Sequence, residues 1–143
     1  MLRRLLKCII KSQKFSFWDK EICPVVRVEF LGRSVLFLVD SGSDTSYLDR
    51  DFFLSTNYDG EIKASKGVIG PHGEDSSYGK ILVNITLGEY KYELPMTVYK
   101  LKERMVYLGN TSEEHPVGII GADFLQMYHM VIDFKGRVLY EHI

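Results

Sequence analysis

The chain is short of cysteine, has no long hydrophobic run, and carries no acid in its first 14 residues. Each shortage excludes something. Cys8 and Cys23 are the only cysteines, with no Cys-x-x-Cys pair and no histidine nearby, so no zinc-type spacing exists and neither metal nor cofactor is expected. Two isolated thiols read better as reduced side chains than as a disulfide, which makes the cytoplasm the expected location. No apolar stretch reaches the roughly 20 residues that a membrane-spanning helix needs. None of the four histidines, His72, His115, His129 and His142, has a nucleophile elbow around a serine to serve.

The charge that is present is unevenly spread. Arg3, Arg4, Lys7, Lys11 and Lys14 give the first 14 residues +5, while the remainder carries 13 basic against 19 acidic side chains, a net of −6. An acidic folded part excludes the basic stripe of a nucleic-acid-binding domain. Residues 1–14 therefore separate from a domain over 15–143. Within the first segment Leu2, Leu5, Leu6, Ile9 and Ile10 fall on one helical face, with basic residues on the others. Three readings stay open: a helix packing on the domain or a second subunit, a helix in contact with an anionic membrane surface, and a targeting peptide.

From Ile22 onward the pattern is that of strands. "VVRVEF" and "SVLFLVD" flank Leu31-Gly32-Arg33 and predict a hairpin whose second arm, apolar at nearly every position, is buried on both faces. "TSYLDRDFF" reads as a strand or short turn. A Gly- and polar-rich tip around Gly70-Pro71-His72-Gly73 suits a projecting hairpin. "YKYELPMTVYK" is a further strand. The C-terminal part predicts a buried strand, one short helix over Ala122 to Met127, and a hairpin around Lys135-Gly136.

Two details are unusual. The buried arm ends on a carboxylate, Asp40, and breaks into Ser41-Gly42-Ser43-Asp44; a carboxylate at the end of an apolar strand is costly unless paired, protonated or used. About 75 residues later "VGIIGADFL" supplies another apolar strand that ends on a glycine before a helix. In this order, with a projecting hairpin between them, the two motifs resemble those of the retropepsin-like (retroviral-type) aspartic proteases over roughly residues 22 to 141.

That resemblance implies a mostly-β, closed-barrel acid-protease fold with one short C-terminal helix, active as a homodimer on a protein or peptide substrate. The chain has a single Asp-Ser-Gly triplet, so Asp40 would meet the Asp40 of a second copy. Ser41 would lock the two active-site loops together. Gly42 would allow close backbone approach and an unusual turn, and Ser43 would donate to the Asp40 carboxylate. Asp44 would contact substrate backbone, and Ile69, Gly70, Pro71, His72 and Gly73 would form a flap over it. Val117, Ile119 and Ile120 would line or support the site, Gly121 would let the helix pack on the active-site loop, and Val138 to Ile143 would enter an inter-subunit sheet. Retroviral enzymes often carry Arg after the second glycine, whereas this chain has Ala122 followed by Asp123. Asp123 is then expected to favour the helix N-terminal dipole. The missing Arg and the basic N-terminal segment motivate the alternative: an inactive dimerisation or peptide-binding module on the same fold.

Overall fold

The computed structural model describes residues 14–18, 23–63, 77–101 and 114–142. Most of the basic N-terminal segment and the flap residues Ile69 to Gly73 lie outside them. In chain order the elements are β1 (Lys14–Ser16), β2 (Val25–Phe30), β3 (Arg33–Val39), β4 (Tyr47–Asp49), α1 (Arg50–Leu54), β5 (Ser77–Leu87), β6 (Tyr90–Tyr99), β7 (Pro116–Ile120), α2 (Ala122–Met127), β8 (Met130–Asp133) and β9 (Val138–Glu141). None of the described helices is long and apolar enough to cross a membrane.

The predicted hairpin forms because Leu31 and Gly32 both adopt positive φ, 49° and 77°, the two-residue turn that suits strand twist. Its second arm is buried from Val35 through Val39. One face points into a closed barrel of order β2-β3-β7-β4-β6-β5, and on the other Leu36 and Leu38 pack with Val25, Trp18, Cys23 and Ile119. Phe30, Phe37, Leu48, Ile85, Leu94 and Ile120 fill the barrel with almost no exposure. Closure removes the free edges that an open sheet would leave.

The sequence reading expected a single helix, but the described residues contain two. Over "TSYLDRDFF" the chain makes only a three-residue strand and then α1. Asp49 explains the switch. Its carboxylate accepts from Phe52 N at 3.2 Å, capping the helix, and from Leu101 N at 3.0 Å, fixing the chain beyond β6.

A second, three-stranded sheet of order β1-β9-β8 stands outside the barrel. It is joined to the barrel by aromatic contacts, with the Tyr92 ring meeting Phe15 of β1 and Phe124 of α2 edge-on. Burial pushes the Tyr92 phenol above the ordinary tyrosine range, and Glu141 at 3.5 Å adds to the shift.

Candidate active site

Parallel pairing of β3 with β7 places the two sequence motifs side by side, Val39 opposite Ile120. Asp40 leaves the barrel at that point, and its N–H donates to Ile120 O at 2.9 Å. The residue is half-buried rather than sealed in the core. Gly42 N donates to Asp40 Oδ1 at 2.9 Å, so the backbone orients the carboxylate. A Cβ on Gly42 would lie 3.2 Å from that same oxygen. Close approach is thus the need at residue 42, and its φ is not in the left-handed region.

The loop beyond Asp40 is braced from the second motif. Ala122 N donates to Ser43 O at 2.7 Å. Ser43 Oγ donates to Thr45 O at 2.7 Å, so within one chain this hydroxyl stabilises the loop's own turn instead of the Asp40 carboxylate. Gly121 meets the loop so closely that a Cβ there would sit 2.6 Å from Thr45 O and 2.7 Å from Ser43 O. Those are backbone atoms with no flexible side chain to give way, which accounts for glycine at this position.

Two residues carry a role that the sequence did not disclose. Ser46, fully buried, donates through Oγ to Asp123 Oδ1 at 2.7 Å and accepts from Gly121 N at 2.9 Å. Ser46 N donates to Asp123 Oδ2 at 3.1 Å, and Phe124 N donates to Asp123 Oδ1 at 2.8 Å. Asp123 does stand in the first turn of α2, but both its oxygens are engaged with Ser46, beyond the Asp40 loop. With Ala122 where retroviral enzymes often carry Arg, this carboxylate–hydroxyl pair adds a side-chain tie to the backbone bonds that join the two motifs.

The remaining site candidates divide by exposure. Ser41 and Asp44 face solvent. Ile120 is fully buried in the barrel core, whereas Val117 and Ile119 are half-buried. Asp40 and Ser41 open onto a concavity of about 310 Å³ shared with Cys23, Pro24, Leu38, Val39, Ile132 and Phe134. A larger cavity of about 820 Å³ lies elsewhere, between β5 and the Tyr58–Lys63 segment. None of the described candidate residues lines it, so its size alone does not make it the candidate site.

Val138 to Glu141 form β9, the middle strand of the small sheet. Val138 to Tyr140 already pair with β8 on one side and β1 on the other.

No protein-family model matches the chain, and no curated protein matches it. Solved structures do. A retropepsin-like aspartic protease from Rickettsia conorii superposes with a TM-score of 0.61 at 13% identity, over 91% of this chain and 89% of that one. The retroviral protease-like domain of Ddi1 from Leishmania major gives 0.62 at 18% identity, over 82% and 86%. The chain has the retropepsin-like fold. The EIAV protease, solved with the inhibitor HBY-793, gives a TM-score of 0.57 at 24% identity, over 77% of this chain and 91% of that one. At these identities the likeness establishes the retropepsin-like architecture alone, and activity must be argued from the residues.

Proposed function

We propose that the chain is an aspartic endopeptidase, acting as a homodimer in which Asp40 of each copy supplies half of the catalytic dyad. The observation that carries this reading is the placement of one accessible, backbone-oriented carboxylate where the barrel's two motif strands end together. Two carboxylates about 3 Å apart cannot both ionise and so share one proton. The ionised Asp40 takes a proton from a bound water as it attacks the scissile carbonyl, and the protonated Asp40 of the second copy polarises that carbonyl oxygen. As the tetrahedral intermediate collapses, a proton passes to the departing amine.

Ser41, exposed next to Asp40, is suited to bridge the two loops across the twofold axis. Asp44 and the flap residues Ile69 to Gly73 are proposed to hold an extended peptide by strand-type hydrogen bonds, with apolar side chains beside the scissile bond. The Asp123–Ser46 pair supports catalysis over the inactive-module alternative, because it braces the loop without the missing Arg.

The test is Asp40→Asn. Cleavage of an unstructured protein such as casein should vanish, with the circular dichroism spectrum and the dimer retained. The wild-type rate should follow a bell-shaped pH profile with an acidic optimum, as one shared proton requires. Undiminished proteolysis by Asp40→Asn would refute the mechanism.

A further inference from the structure

The barrel ring is complete, but its seam between β2 and β5 is short. β2 pairs with β5 only through Glu29 with Thr86 and Phe30 with Ile85. Farther along the same edge, Lys63 N donates to Lys80 O at 2.9 Å and Lys80 N to Lys63 O at 2.7 Å. Between these pairings no described residue pairs with that edge of β5. The next bonded partner of Leu82 on this side would be Glu61. The Glu61 carbonyl instead accepts from Tyr58 Oη at 2.8 Å, and the Tyr58–Lys63 segment leaves β5.

Because Lys80 bonds to Lys63, alternation along β5 turns the N–H and C=O of Leu82 to the same side, away from β6. They face the cavity of about 820 Å³ between β5 and the departing segment. From Lys80 to Ile85 the unpaired edge spans roughly 17 Å, room for about four residues of an added strand. Buried Phe30, Ile81 and Val83 line the cavity, together with Leu31 and Leu82, which are 42% and 56% exposed. Its charged lining is Glu29, Asp59 and Glu61 against Lys63, Lys80 and Lys91. None of the six forms an ion pair among the described residues. Lys63 and Lys80 are both exposed and directly opposite each other, a position in which like charges repel. Two ammonium groups at one end of an unpaired strand edge favour a carboxylate there.

We propose that this groove receives an extended peptide segment of a partner protein, added to β5 as an antiparallel strand. Leu82 N–H and C=O supply backbone hydrogen bonds to it, and the side chains around them supply the selectivity. An antiparallel segment runs toward Lys80, so its C-terminal end carries the carboxylate that meets Lys63 and Lys80. An apolar side chain of the segment stands beside Leu82. The groove lies at the Leu31-Gly32 end of β3, roughly 20 Å from Asp40 at the other end. It is therefore separate from the proposed cleavage site, and the proposal does not depend on the dyad.

The test uses the full-length chain carrying Asp40→Asn, which keeps cleavage out of the measurement. Amide hydrogen exchange by NMR reads the edge first. Leu82 N–H should exchange about 100-fold faster than Val83 N–H, which faces β6. Equally slow exchange at both would mean that the edge is already covered, and would overturn the proposal. Probes are random heptapeptides selected on the chain and resynthesised with a fluorescein tag for anisotropy. Selected peptides should place Asp or Glu toward the C-terminal end, and their binding should slow exchange at Leu82 N–H. N-methylation of alternate peptide amides, or Lys63→Glu in the protein, should each weaken binding about tenfold. A peptide with Lys in place of its acid should recover the loss caused by Lys63→Glu. Selection of no peptide would overturn the proposal, as would affinities unchanged by Lys63→Glu and Leu82→Glu. So would a peptide that tolerates N-methylation and is displaced by phosphate, since the lysine pair would then be an anion site only.

Discussion

The barrel and the three-stranded sheet use the same kind of strand to opposite ends. Each barrel strand has a neighbour on both sides, and its interior is filled by side chains from all six. The small sheet stops on a strand whose four residues are all half-buried, with an exposed Phe134 at its end. Among the described residues, one region is finished within a single chain and the other leaves a strand edge open. The orientation of Asp40 belongs to the finished region, through Ile120 O, Gly42 N and the Asp123–Ser46 brace. On the proposed dyad, the second carboxylate would come from another copy of the chain.

Substitutions can break or sharpen this contrast. Phe37→Ala attacks the finished region. It removes a fully buried ring that packs on Phe30 at 6.3 Å, and should lower the unfolding free energy of the monomer by roughly 3–5 kcal/mol in urea titration. Ser46→Ala should cost about 1–3 kcal/mol, since Gly121 N and the Asp123 carboxylate lose a buried partner. It should also reduce the cleavage rate more than it weakens dimerisation, because the brace lies within one chain. Phe134→Ser, with the same residue type replaced in the unfinished region, should change monomer stability by less than about 1 kcal/mol while raising the dimer dissociation constant in sedimentation equilibrium. If Phe134→Ser destabilised the monomer as much as Phe37→Ala, the two regions would not differ as described.

Much of this fold was legible in the sequence because its signals are local. The Leu31-Gly32 turn, the uninterrupted apolar run of β3 and the short helix after Gly121 each follow from neighbouring residues. Asp40 stood out because a carboxylate ended a buried strand, and the second motif gave it a context. What stayed hidden depends on contacts across the chain. Asp49 looked like a strand or turn residue until its carboxylate was seen to cap α1 and hold Leu101 N, 52 positions away. Asp123 has a plausible role at its own helix terminus, and its engagement with Ser46 spans 77 positions. The saturation of β9 was equally unreadable, because a strand's sequence does not record how many neighbours it has.

Mixing wild-type chains with Asp40→Asn chains tests the central claim most directly. Both are held at a constant total concentration far above the dissociation constant, and the proteolytic rate is measured after subunit exchange. If each site needs Asp40 from both copies, only dimers of two wild-type chains cleave, and an equimolar mixture should retain about one quarter of the wild-type rate. A rate near one half would mean that each chain carries its own complete site, and would contradict the account.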